Sequence, residues 1–160
     1  MVAVYQFDGA IRDAVHALKY DGLRAIAPAL GRLMASHPSL SRMDLDAIVA
    51  VPVHPRRLRE RGYNQAGLLA DEVGRRLSLP VAQRALRRVK DTPPQARTKD
   101  EAGRARNVAG VFEAGTGTEG KRLLLVDDVA TTGSTVNACA AALRRAGAEW
   151  VGALVLAREM

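Results

Sequence analysis

The chain has 160 residues, 48% of them hydrophobic, which suits one domain with a single core built mainly of Ala, Leu and Val. Its 24 Lys and Arg against 17 Asp and Glu leave a net charge of +7, which favours nucleotides, sugar phosphates or nucleic acid as partners without choosing among them. No apolar run approaches the ~20 residues of a membrane helix, residues 1–10 lack the basic start and apolar stretch of a signal peptide, and the one cysteine, Cys139, excludes a disulfide within the chain, so we expect a cytoplasmic protein that does not insert in a membrane.

In chain order, Asp8 can cap a helix whose Ile11, Val15 and Leu18 share one face, and Asp21-Gly22 breaks it. A second helix is predicted over Leu23–Ser36, with Ile26, Leu30 and Leu33 inward and His37-Pro38 as its stop. Ala47–Val53 is a short apolar run that reads as a buried strand ended by Pro52 and Pro55. The basic stretch Val53–Arg61 reads as a loop, after which Asn64 can cap a third helix through Leu77. Val81–Val89 reads as a strand of ambiguous pattern. Lys90–Arg106, charged and broken by Pro93-Pro94, reads as a long flexible loop of the kind that often serves function. Val108–Glu113 is a further strand candidate, followed by the turn-rich Gly115–Gly120. Arg122–Val126 is a clear buried strand, Thr135–Ala146 a helix stopped by Gly147, and Trp150–Leu156 a last strand. Strands alternating with helices predict an α/β fold with a mostly parallel central sheet flanked by helices, in a single domain over residues 1–160, helical over 1–40 with the core over 41–160.

The chemistry concentrates in one stretch: strand Leu123–Val126, acid pair Asp127-Asp128, then Val129-Ala130-Thr131-Thr132-Gly133-Ser134-Thr135 opening a helix. In open parallel sheets, ligands sit beyond the carboxyl ends of the strands. A loop that opens a helix offers free N–H groups to an anion, Thr131, Thr132, Ser134 and Thr135 add hydroxyls, and Gly133 allows close approach. The carboxylates are acceptors and a ribose 2′,3′-diol offers two donors, so one element can hold a 5-phosphoribosyl group at both ends. A capped turn with two surface acids is the plainer reading of Asp127-Asp128 alone; the whole ordered stretch is much more specific.

That stretch resembles the signature of type I phosphoribosyltransferases at nearly every position, departing at Ala130, where the family carries a larger apolar residue. Val51-Pro52-Val53-His54, Arg61-Gly62-Tyr63-Asn64-Gln65, then Gln95, Arg104, Asn107 and Phe112 resemble the ComF competence family, and the match runs from about Val4 to Arg158. The resemblance implies a type I phosphoribosyltransferase-like fold, with residues 1–40 as the candidate hood over an acceptor. It also implies 5-phosphoribosyl 1-pyrophosphate as ligand, with Mg²⁺ carried through the substrate rather than by direct protein ligation, Asp127 and Asp128 being the only candidates for direct contact. It makes Val53–Arg61 the pyrophosphate loop, where His54, Arg56, Arg57 and Arg61 supply positive charge, and Lys90–Arg106 the covering loop from which Lys99 and Arg104 reach the pyrophosphate. Family members pair this domain with a cysteine-rich zinc module ahead of it; with one cysteine, this chain holds no four-cysteine site, and we expect that module to be lacking. A role in DNA uptake, contact with single-stranded DNA and a homodimer are further implications.

Other signals fail on mechanism. Gly115–Gly120 matches G-x-G-x-x-G by letter but precedes a strand, and with Lys121 it lacks the Ser or Thr of a P-loop, since Arg122 follows. His16, His37 and His54 show no metal-ligand spacing, and Cys139 sits among alanines on a helix, as a packed residue does. Two functions therefore stand. One is an enzyme in which Asp127 and Asp128 grip the ribose while the phosphoribosyl group passes to an unidentified acceptor. The other is a non-catalytic module that senses the same ligand and holds single-stranded DNA, for which aromatic platforms are few.

Overall fold

The computed structural model describes residues 1–89 and 110–159. The predicted covering loop, with Lys99 and Arg104, lies outside them. Four parallel strands form the central sheet in the order β1 (Val2–Gln6), β6 (Trp150–Arg158), β5 (Arg122–Ala130), β2 (Ala47–Ala50). A second, antiparallel pair joins β3 (Leu86–Arg88) to β4 (Phe112–Ala114). The helices are α1 (Gly9–Tyr20), α2 (Ala27–Ala35), α3 (Pro55–Arg61), α4 (Gln65–Leu77) and α5 (Ser134–Arg145).

The sheet is covered on both faces, which is why its strands read as continuous apolar runs rather than alternating ones. Alternation along β5 sends Leu123 and Leu125 into a cluster with Val136, Cys139 and Leu143 of α5 and with Leu86 and Phe112 of the small sheet. Leu124 and Val126 enter the opposite cluster with Val15 and Leu18 of α1, Leu30 and Met34 of α2, and Leu69 and Val73 of α4.

Several elements differ from the sequence reading. Val2–Gln6, not anticipated as a strand, is a partly exposed edge strand paired in parallel with β6. The second helix begins as a 3₁₀ turn, Arg24–Ile26, and becomes α-helical only at Ala27, with Pro28 in its first turn. Its buried stripe is Ala27, Leu30, Gly31 and Met34, while Leu33 is 41% exposed. The phase follows from Gly31, where a Cβ would stand 2.6 Å from Glu72 Cβ of α4, so the two helices meet backbone to side chain at this point. Glu72 is in turn clamped by Arg75 and Arg76, whose hydrogen bonds hold its carboxyl down at about 2. Val53–Arg61 is not a loop: Pro55 starts α3, His54 caps it by accepting the Arg56 N–H at Nδ1 (3.1 Å), and Gly62 ends it in the left-handed region. The last two strands run longer than predicted, and β5 continues through the acid pair to Ala130.

Candidate functional site at the carboxyl end of the sheet

Where β2 and β5 end, a cleft of about 470 Å³ opens between the segment 51–57 and the segment 127–135. β2 stops at Ala50, Val51 still donates its N–H to Val126 O (2.9 Å), and Pro52, which has no N–H to donate, turns the chain toward α3. The cleft thus lies beyond the strand ends, where open parallel sheets bind ligands.

Asp127 and Asp128 line it from within β5 rather than from a loop beyond it. Both are buried, at 9% and 2% exposure, an expensive state for carboxylates unless partners answer them. Strand alternation turns the two side chains apart. Asp128 faces α1, where Lys19 Nζ stands 3.0 Å from its Oδ2. Asp127 faces α5 and, after burial, helps push the Cys139 thiol up, out of nucleophilic range. Burial itself raises the Asp127 carboxyl well above the ordinary carboxylate range, and the neighbouring Asp128 charge raises it further. The next backbone N–H steadies each acid: Asp128 donates to Asp127 Oδ1 (2.9 Å) and Val129 to Asp128 Oδ1 (2.7 Å).

The loop after β5 opens α5. Gly133 holds φ +75° at its N-cap and has no side chain to cap the helix, and the Ser134 N–H donates to Thr132 Oγ1 (3.4 Å), so the N–H groups that follow it are the ones a helix start can offer to an anion. Thr131, Thr132 and Thr135 are exposed, and Thr132 and Ser134 share a hydroxyl hydrogen bond (2.7 Å). Val129 and Thr135 line the cleft itself; Thr131, Thr132, Gly133 and Ser134 form the adjoining loop. Ala130 is buried in the core and lines nothing. The opposite wall brings His54, Arg56 and Arg57 to the cleft. Arg61, expected to face the pyrophosphate with them, turns instead into a neighbouring cavity of about 480 Å³ and donates to Gln65 Oε1. The rise of α3 causes this: Arg61 lies four residues beyond Arg57, about 6 Å along the helix, and Arg57 borders both spaces. Among the described residues no group of three or more His, Cys, Asp or Glu could hold a metal ion, and no helix is long and apolar enough to cross a membrane.

Comparison with known proteins bears on the family and the fold. The family model for the phosphoribosyl transferase domain matches residues 58–160. Over 100% of its length the chain is 33% identical to DNA utilization protein YhgH of Salmonella typhi, of which it covers 72%. Over 71% of its length it is 37% identical to competence protein F of Haemophilus influenzae, of which it covers 50%. The chain belongs to the ComF family. The same fold is seen in the glutamine phosphoribosylpyrophosphate amidotransferase of B. subtilis, with a TM-score of 0.56 and 21% identity over 81% of this chain. The chain spans about a quarter (26%) of that structure's length.

In this ComF-family chain, Arg61-Gly62-Tyr63-Asn64-Gln65 is a joint between elements. Tyr63 donates its hydroxyl to Leu18 O at the end of α1 and stacks under the Arg24 guanidinium (4.3 Å). Asn64 caps α4 by accepting the Ala66 N–H (3.1 Å) and donates Nδ2 to Val51 O (3.0 Å) beside the cleft. Gln65 is buried and lines the cleft. The sequence reading missed two basic groups of the cleft, Lys19 and Arg88. Lys19 could have been found: it stands one helical turn after Val15, on the buried stripe, where a lysine calls for a partner. Arg88 is remote in sequence and reaches the cleft only because β3 pairs with β4, its guanidinium 5.6 Å from the Phe112 ring.

Proposed function

We propose that the cleft binds 5-phosphoribosyl 1-pyrophosphate and passes its phosphoribosyl group to an acceptor, releasing pyrophosphate. The observation that carries this reading is the juxtaposition of two buried carboxylates, the glycine-led start of α5 on the same chain segment, and two arginines on the facing wall. Asp127 and Asp128 take the ribose 2′,3′-diol, residues 131–135 take the 5′-phosphate, and Arg56 and Arg57 take the pyrophosphate. As the C1–O bond breaks, its electron pair leaves with the pyrophosphate, the acceptor nucleophile forms the new bond to C1 and its proton passes to solvent. Charge placed beforehand on both sides of C1 lowers the barrier. Mg²⁺ fits this site as a companion of the pyrophosphate, because Asp128 is already answered by Lys19 and the facing wall is basic; bound there, it would neutralise the leaving group.

Calorimetric titration of 5-phosphoribosyl 1-pyrophosphate, with and without Mg²⁺, tests the reading. Saturable, Mg²⁺-dependent binding is expected, followed by pyrophosphate release once an acceptor is supplied; clean, folded protein without binding would overturn it.

A second reading is favoured by the relatives' names, DNA utilization and competence protein, together with the net charge of +7. In it the chain serves DNA uptake, the cleft senses the ligand without turnover and the basic surface holds single-stranded DNA in the cytoplasm. Its affinity for an oligonucleotide should then fall steeply with salt; no binding even at low salt would remove it.

A further inference from the structure

We propose that Lys19 is a positioning residue of the cleft, whose ammonium sets the Asp128 carboxylate in the orientation that receives the ribose diol. This deepens, and rests on, the reading of the cleft as a phosphoribosyl pyrophosphate site. Lys19 Nζ lies 3.0 Å from Asp128 Oδ2, with the two side chains 19% and 3% exposed. The other oxygen of that carboxylate accepts the Val129 N–H at 2.7 Å, so the group is gripped from α1 on one side and from its own strand on the other. The ion pair at Oδ2 and the hydrogen bond at Oδ1 orient the carboxylate, while Oδ2 makes no hydrogen bond of its own and can accept one from a hydroxyl.

Packing does not account for a lysine at this place. Lys19 follows Leu18, which is fully buried against the sheet, and an apolar side chain would extend that contact without the cost of burying a charge. Nor is the end of α1 free to drift. Tyr63 of the joint holds Leu18 O, so the lysine is delivered to the acid pair by the same contact that fastens α1 to α4. Charge balance points the same way: the two buried carboxylates are neighbours of like charge, and the one ammonium beside them stands at Asp128. Lys19 also lines the neighbouring cavity with Tyr20, Arg57 and Arg61, so it stands at the junction of the two spaces.

The test uses the full chain and two probes, 5-phosphoribosyl 1-pyrophosphate and inorganic pyrophosphate, each titrated with Mg²⁺ into wild type, Lys19→Met, Lys19→Gln and Lys19→Arg. Removing the ammonium should weaken phosphoribosyl pyrophosphate by about tenfold or more in both neutral variants, leave pyrophosphate within about twofold, and do less damage in Lys19→Arg, which returns a cation. The glutamine variant keeps the measurement decisive if the methionine one folds poorly. Phosphoribosyl pyrophosphate bound by both neutral variants within about twofold of wild type would overturn the role of Lys19 alone. So would an equal loss of both probes, or an arginine variant no better than methionine. A wild type that binds no phosphoribosyl pyrophosphate would remove the reading of the cleft and this inference with it.

Discussion

The two ends of β5 are built by opposite rules. At the amino end, Arg122 is answered on every side: its N–H donates to Asp46 Oδ2 (2.7 Å), its Nε to Asp44 O (2.8 Å) and its guanidinium to Glu149 Oε1 (3.0 Å), while the same group lies over Trp150 (5.6 Å). At the carboxyl end, two acids are buried, Asp128 beside a lysine, and the following helix starts at a glycine. The first arrangement satisfies polar groups and locks β5 to the segment before β2 and to β6. The second buries charge beside an open cleft, a state that a ligand can complete. One strand therefore carries both the fastening of the sheet and its site, and substitutions at its two ends should separate stability from binding.

The largest expected effect is on binding. Asp127→Asn with Asp128→Asn should weaken 5-phosphoribosyl 1-pyrophosphate by about tenfold or more while circular dichroism shows the fold intact; an unchanged affinity would break the comparison at its functional end. Asp127→Asn alone should raise the melting temperature at neutral pH. The folded carboxyl titrates above its unfolded value, so the folded chain holds the proton more tightly. Stability therefore falls as pH rises from about 4, the unfolded value, through the folded one, and at higher pH the wild type bears the whole penalty. Melting curves from pH 4 to pH 8 should show a decline for the wild type that the asparagine variant lacks.

A smaller effect follows at Gly133. A side chain there meets only ordinary contact, with Met1 Cε at 3.6 Å, but the left-handed φ of +75° costs an alanine about 1 kcal/mol. Chemical denaturation should record that loss, together with weaker ribose 5-phosphate binding. Arg122→Ala should cost a similar or lesser amount, about 1 kcal/mol once its partial exposure is allowed for, and leave ligand affinity within error. A binding defect in that variant would mean that the two ends are not independent. The smallest effect belongs to Glu60→Gln: its pair with Arg56 is exposed, so the melting temperature should not move measurably, while losing a negative charge beside the cleft should tighten pyrophosphate slightly.

Much of this difference was legible in the sequence. Leu123–Val126 announced a strand buried on both faces, and the ordered run from Asp127 to Thr135 announced the ligand end, because acids, small hydroxyls and a glycine follow one another locally. The Asn64 cap and the α4 stripe were likewise local signals. What was missed depends on tertiary contact. Leu33 lost its inward place to Met34 because Gly31 seats α2 on Glu72, a contact between helices far apart in sequence. The arginines of 56–61 looked like one basic loop, and only the helix started by Pro55 carries Arg61 along its axis and away from the cleft that Arg56 and Arg57 line. Lys19 was passed over although it stands on the buried stripe of α1, because its partner Asp128 lies more than a hundred residues away. Val2–Gln6 is an edge strand with little buried surface, so its pattern was too weak to separate from a tail.

The most direct test of the central claim is amide chemical-shift mapping during titration with 5-phosphoribosyl 1-pyrophosphate and Mg²⁺. Shifts concentrated at Asp127–Thr135 and at Arg56 and Arg57, with Asp46, Arg122 and Glu149 unmoved, are the predicted result. Saturable shifts at the amino end of the sheet, or none at Asp127 and Asp128, would contradict the account.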